Sequence, residues 1–368
     1  MLARGGALPH HDDGPIGGVG GAIRPAEIGV RLWFHRRVNL PSAPAEALVA
    51  APFAAPDAVR VERSGGIDAL RVIAAGMVLL YHAQGLGLAS IPLIGTAGRE
   101  GVILFFVISA YVLYRPMADG GPDLGRYALR RFTRIYPAYV VALIGSAILL
   151  GLPLSPAYLV FGQTVNLAEP SVLPASWTLQ VEVVFYLLLP LVATAIRGIR
   201  WRGPLLLVAS AYLFVMVALI TPAAINTGPW SFAWFAWVFP LGMAAALVRR
   251  PTRWLLPIGI GALVIGLVLQ WSQPLDLPVA IAGVLLVLGI RDVPVPRWLA
   301  LAGTRLSYPV YLWHAAIFAV VANLWAGIAV TLVVSGLSWI VVERPFQAIR
   351  LGSRPGLRRV AAPPAMPL

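Results

Sequence analysis

Arg71 and His82 stand eleven residues apart in an otherwise apolar stretch from Leu70 to Leu88. At about 1.5 Å of rise per residue, a helix would carry His82 roughly 16 Å further along than Arg71. If Arg71 marks one face of a bilayer, His82 lies near the middle of the hydrocarbon, where an ionisable group is costly and points to function. A neutral imidazole there can take a proton from a hydroxyl. Glu182, within SerTrpThrLeuGlnValGluValValPheTyr (176–186), is a carboxylate that could orient that ring or hold the charge that forms. The plainer alternatives are a histidine hydrogen-bonded in helix packing and a carboxylate paired with Tyr or Arg. Arg130, Arg131 and Arg134 lie in ArgTyrAlaLeuArgArgPheThrArgIleTyrPro (126–137). Three and four apart, they share a face if that loop is helical, and like charges on one face call for an anion. Lipid headgroups would supply one. So would a cytosolic phosphate ligand, which guanidinium groups bind in bidentate fashion. Ser109 could be a nucleophile, but Ser109 beside Ala110 also suits close helix contact. His314 stands among aromatics in LeuSerTyrProValTyrLeuTrpHis (306–314), a setting that favours packing. Glu343 closes the last apolar segment, where pairing with an Arg is the ordinary reading.

The elements that must position these groups are membrane helices. The chain of 368 residues is 59% hydrophobic and 12% charged, about half the charge of a soluble domain. Predicted spans fall near 68–88, 100–115, 136–152, 177–196, 204–221, 231–248, 254–271, 277–290, 306–322 and 326–342. Net charge is +13, and all 28 basic residues are Arg. They occur in short clusters between apolar segments rather than in one patch, which argues against nucleic acid. One set of alternate loops holds Arg60 and Arg63, then Arg115 to Arg134, then Arg197, Arg200 and Arg202. The same set continues with Arg249, Arg250 and Arg253, with Arg291 and Arg297, and with the tail from Arg344 to Arg359. The opposite loops hold Arg99 alone. The positive-inside rule then puts both termini in the cytoplasm. The predicted fold class is all-α, a polytopic transmembrane bundle of about ten helices.

Residues 1–63 are rich in Ala, Pro and Gly with no long apolar run, so they read as a disordered cytoplasmic extension and not as a signal peptide. Within them LeuTrpPheHisArgArg (32–37) could form a short interfacial helix. No metal site is expected. His10, His11 and His35 lack a scaffold, and the absence of Cys removes both thiolate ligands and disulfides. The membrane domain is predicted over 64–347, with a disordered tail over 348–368.

Taken together, these segments resemble the acyltransferase 3 family of integral-membrane O-acyltransferases. The resemblance covers about residues 66–347 and rests on six motifs in order. The first helix carries Arg-x10-His as Arg71 and His82, preceded by Asp68. The second carries PhePheVal-x-Ser as Phe105 to Ser109, with Ala110 where the family usually has Gly. Arg-x-x-Arg is Arg131 and Arg134, followed by TyrPro (136–137). SerTrp-x-Leu-x-x-Glu is Ser176, Trp177, Leu179 and Glu182. SerTyr-x-x-TyrLeuTrpHis runs from Ser307 and Tyr308 to His314, and Glu-x-Pro is Glu343 with Pro345. The resemblance implies transfer of an acyl group, most often acetyl, from cytosolic acyl-CoA to a hydroxyl of a saccharide, glycolipid or glycosylated natural product. It implies His82 as general base, with Arg71 and Glu182 beside it in the catalytic set. Arg131 and Arg134, with Arg130, would hold the CoA phosphates. Trp177, Tyr308, His314 and Ser109 are the further candidates for substrate contact. A covalent acyl-His82 intermediate is the main variant. No permanently bound cofactor is expected. The setting implied is a bacterial inner or plasma membrane, crossed several times. A proton-coupled transporter or flippase is the rival reading, but such carriers tend to show internal repeats, and none is visible here.

Overall fold

The computed structural model describes residues 64–93, 97–121, 123–162, 171–224, 232–269 and 276–352. The expected extension 1–63, with its segment 32–37 and His10, His11 and His35, lies outside the described residues, as does 353–368. Among the described residues every regular element is a helix.

Helix α1 (Gly65–Gly85) starts where the Ser64 hydroxyl accepts a hydrogen bond from the Ile67 amide at 3.2 Å, a standard N-cap. It stops at Gly85 because Gly87 turns left-handed, with φ of 73°. The Gly87 and Leu88 amides then bond back to the carbonyls of Gln84 and Ala83, both at 2.9 Å, closing a Schellman motif. The apolar run to Leu88 therefore outlasts the helix by about a turn. The helix thus ends three residues short of the predicted span of 68–88, and His82 sits in its last turn.

Helix α2 (Gly98–Ala118) is the core of the bundle, packed against α1 and three later helices. Its Phe106, Tyr111 and Tyr114 are fully buried. Helix α3 (Leu124–Leu150) begins one residue after Asp123, whose carboxylate caps the Arg126 amide at 3.0 Å. The basic segment 126–137 is therefore helical and continuous, through Pro137, with the span expected to start only at 136. Two short 3-10 turns, Pro156–Val160 and Pro174–Ser176, precede α4 (Trp177–Ile196). Pro190 within α4 cannot bond to the Tyr186 carbonyl. The Tyr127 hydroxyl donates to that carbonyl instead, at 3.0 Å, tying α3 to α4.

The middle of the chain is scaffold: α5 (Arg202–Ala224), α6 (Phe232–Phe235), α7 (Val238–Ala246), α8 (Leu255–Leu269) and α9 (Leu277–Ile290). Helices α7 and α9 pack on α2, and α8 packs on α9. Leu207 and Val208 of α5 and Ile258, Ile260 and Val264 of α8 stay exposed. Such surfaces suit lipid, where apolar exposure carries no penalty.

The last third adds α10 (Arg297–Arg305), α11 (Ser307–Val320), α12 (Leu324–Ser338), a π-helical turn (Trp339–Glu343) and α13 (Arg344–Gly352). Helix α10 was not among the predicted spans. It lies on α1 at Gly303, where a Cβ would collide with the Asp68 carbonyl oxygen. The π turn accommodates Pro345, which lacks an amide proton and crowds the preceding turn. Helix α13 runs to Gly352.

Helices occupy each place where a span was predicted. Among the described residues, six stretches are long and apolar enough to cross a membrane: Gly65–Gly85, Gly98–Ala118, Leu124–Leu150, Pro174–Ile196, Arg202–Leu219 and Leu324–Ile349. Others are short. The 14 residues of α9 rise about 21 Å, less than the ~30 Å hydrocarbon core.

Candidate active site

The polar interior has two parts, both built from residues far apart in the chain. The first is a charged cluster. Asp68 and Arg71, one turn apart on α1, form an ion pair and are largely buried. On α3, Arg131 turns inward, its guanidinium 6.0 Å from the Tyr127 ring and 5.9 Å from the Tyr186 ring. Cation–π contacts of that kind hold a guanidinium in place without consuming its hydrogen-bond donors. Accordingly the Arg131 Nε is buried with no partner. Arg134 lies one turn further along α3, within electrostatic reach of Arg71, Glu182 and Glu343.

Glu182 on α4 is held on both oxygens. Ser109 of α2 donates to Oε1 at 2.9 Å, and Tyr186 donates to Oε2 at 2.7 Å. Tyr308 of α11 closes the cluster by donating to the Ile135 carbonyl of α3 at 2.9 Å. Glu343, buried at the end of the π turn, faces the same interior and accepts from Ser338 at 3.5 Å. All six motifs of the sequence thus meet here, arriving on α1, α2, α3, α4, α11 and the π turn.

The second part is an imidazole pair. The ring of His82 stacks on that of His314, with centroids 4.9 Å apart and planes 26° from parallel. Tyr81 flanks His82 at 5.2 Å and Tyr311 flanks His314 at 6.0 Å. The Nδ1 of His314 lies 3.0 Å from the Val310 carbonyl. A carbonyl only accepts, so this contact puts the proton on Nδ1 and leaves Nε2 as a bare acceptor. The Nε2 atoms of both histidines are buried without a hydrogen-bond partner. Two unsatisfied ring nitrogens side by side are costly, and such groups concentrate at reacting centres.

Helical rise relates the two parts. His82 lies about 16 Å from Arg71 along α1, and His314 about 9 Å from Tyr308 along α11. Guanidiniums therefore gather at one level of the bundle and imidazoles at another. The arrangement can hold a polyanionic group at the first level and move a proton at the second.

Most of the residues selected from sequence converge, with three differences. Glu182 does not meet His82: its hydrogen bonds run to Ser109 and Tyr186, and the partner of the His82 ring is His314. The reason is height, since Glu182 faces α2 and α3 at the charged level. Arg130 is exposed, because the inward face of α3 is the one shared by Arg131 and Arg134. Trp177 packs on Phe235 at the start of α4. Tyr127 and Tyr186 were not selected, yet a signal was present. Tyr186 is four residues after Glu182 and Tyr127 four before Arg131, so each shares a helix face with a charged residue.

The family model described as an acyltransferase domain, Acyl_transf_3, matches residues 64–342. A protein of Komagataeibacter xylinus named as a membrane-bound transacylase, BcsY, is 30% identical over 336 residues, covering 77% of this chain and 82% of that one. An acyltransferase of Streptomyces mycarofaciens, MdmB, is 30% identical over 229 residues, covering 52% of this chain and 59% of that one. No solved structure matches the chain.

Proposed function

The chain belongs to the acyltransferase 3 family and is a multi-pass membrane acyltransferase; from that premise we propose that it moves an acetyl group from cytosolic acetyl-CoA to a hydroxyl of a saccharide, glycolipid or glycosylated natural product. The observation that carries this reading is the division of the interior into a guanidinium level and an imidazole level. A CoA thioester has the same division, with phosphates at one end, a long pantetheine arm, and the reacting carbonyl at the other. Arg131 and Arg134 would take the phosphates, with Arg71 at the mouth of α1 steering the arm. The free Nε of Arg131 is the donor still available for such a contact.

In the proposed reaction, His82 takes the proton of the acceptor hydroxyl through Nε2 as the oxygen attacks the thioester carbonyl. The C–O bond forms and the C–S bond breaks. The leaving thiolate then recovers the proton from the His82 imidazolium. The stacked face of His314 supports the transient cation. Glu182 acts at the charged level, fixing Ser109 and Tyr186 and balancing the guanidiniums, rather than orienting His82. The covalent variant has His82 itself attack the thioester, giving an acyl-imidazole that the acceptor hydroxyl then opens. The enzyme would work in a bacterial inner or plasma membrane, with no permanently bound cofactor.

The test is transfer of radiolabelled acetyl from acetyl-CoA in membranes, with wild type beside His82→Ala and Arg131→Ala. The reading expects label in a glycan or glycoside with wild type, none with His82→Ala, and weakened CoA binding with Arg131→Ala. Equal transfer by His82→Ala protein would remove His82 from the chemistry. Label retained on wild-type protein in the absence of acceptor would select the covalent variant.

A further inference from the structure

Trp339, the first residue of the π turn, is approached by two arginines from different helices. The Arg305 guanidinium, at the last residue of α10, lies 4.7 Å from the indole centroid, and that of Arg344, at the first residue of α13, lies 6.0 Å from it. Both arginines are exposed, and neither has a carboxylate partner among the described residues. The adjacent acid, Glu343, is buried at 3% exposure and turned toward Ser338 and Arg134. Two like charges over one ring with no counter-charge repel each other, so an external anion has something to gain there. A phosphate ester fits best, because guanidiniums grip its oxygens in pairs while the indole lends a flat amphipathic floor.

Next to this pair, Leu337, Ile340 and Val341 form an exposed apolar surface on a membrane-length helix, and Phe346 continues it on α13. A soluble phosphate would leave that surface unused, whereas an amphiphile would cover it with acyl chains. We propose that Arg305, Trp339 and Arg344 form a binding site for the phosphate headgroup of an anionic phospholipid, whose chains lie along α12. The site is separate from the acyl-transfer interior. It adjoins it at two points, since Arg305 follows the Gly303–Asp68 contact by two residues and Arg344 follows Glu343 directly.

The experiment counts phospholipids retained on the purified full-length protein by native mass spectrometry, after extraction from mixed phosphatidylglycerol and phosphatidylcholine vesicles. Wild type is compared with Arg305→Gln/Arg344→Gln and with Trp339→Phe. The double variant should retain phosphatidylglycerol about 30-fold more weakly, the combined effect of two guanidiniums at a membrane surface. Phosphatidylcholine retention should not change, and unchanged thermal unfolding in phosphatidylcholine would show that the variant is folded. Trp339→Phe, which keeps both charges and a ring, should show a smaller loss. Equal phosphatidylglycerol retention by wild type and folded double variant would overturn the proposal. Displacement of the lipid by CoA or inorganic phosphate would overturn it too, reassigning the arginines to a soluble phosphate ligand. Because retention is read without acyl transfer, the result stands whether or not the enzymatic reading survives.

Discussion

At the scale of single residues, the weight falls on the two imidazoles and on Arg131. Removing a general base commonly costs ~10²–10⁴ in rate, so His82→Ala should lower kcat by at least about 100-fold with acyl-CoA binding retained. Single-turnover kinetics beside a binding isotherm would separate the two. His314→Ala should lower kcat, and His314→Phe should recover part of the loss, because a phenyl ring preserves the stacked face that His82 rests on at 4.9 Å. If His314→Phe is no better than His314→Ala, the stack is not what His314 contributes. Arg131 and Arg130 give a sharp contrast between neighbours. Arg131→Ala should raise the KM for acyl-CoA about tenfold or more, the order expected for a charge-assisted bond. Arg130→Ala, on the exposed side of α3, should leave it unchanged. The basic run was legible in the sequence, but which arginine faces inward was not. Spacing put all three on one arc, and the rotation of α3 about its axis is set by its contacts with α4 and α11 rather than by its own residues.

At the scale of elements, the decisive feature is how closely α10 approaches α1. Gly303 touches the backbone of Asp68 with no room for a Cβ, and Asp68 holds Arg71 in its ion pair. Gly303→Val should therefore push α10 away, costing about 1–3 kcal/mol as an overpacking change and disturbing Arg71 as well. Thermal unfolding in detergent, read beside acyl-CoA affinity, would show both effects together. Retained stability and affinity would mean that α10 is not seated against α1 in this way. Helix α10 itself leaves no span signature in the sequence, because it is short and amphipathic and has no long apolar run. Helix α3 was cut short for the opposite reason: its first turns are so basic that they read as a loop until Asp123 is seen to cap them.

At the scale of the whole molecule, two buried charges lock the end of the bundle remote from the arginine clusters. Arg99 at the start of α2 pairs with Asp276 ahead of α9 at 2.6 Å, and both side chains are largely buried. Burial pushes the Asp276 carboxyl above its usual range, while Arg99 pulls it the other way. Arg99→Ala would strand that carboxylate, at a cost of about 3–5 kcal/mol. A carboxyl raised in the folded state stabilises below its unfolded pKa and loses that contribution as pH rises through the folded value. The deficit of Arg99→Ala should thus be largest at neutral pH and shrink on acidification, which unfolding curves across pH would check. Orientation in the membrane is accessible because the chain has no Cys. Single cysteines at Ser90 and Gly120, on either side of α2, should react with an impermeant reagent from opposite faces, with Gly120→Cys labelled from the cytoplasm. Labelling of both from one face would overturn the proposed topology.

The sequence by itself determined the class of molecule, the all-helical architecture and the residues worth watching. Hydropathy and charge act locally, since a segment of apolar residues must become a helix in lipid whatever surrounds it. Motif order carried the family resemblance in the same one-dimensional way. Only the tertiary structure decided the pairings. His82 meets His314 rather than Glu182, Glu182 meets Ser109 and Tyr186, and two arginines converge on Trp339. Each pairing depends on the rotation and depth of one helix against another. Those are set by the close approach of small residues such as Gly303 and by hydrogen bonds such as Tyr127 to the carbonyl that Pro190 leaves free. No residue carries that information alone, because it belongs to the contact between helices.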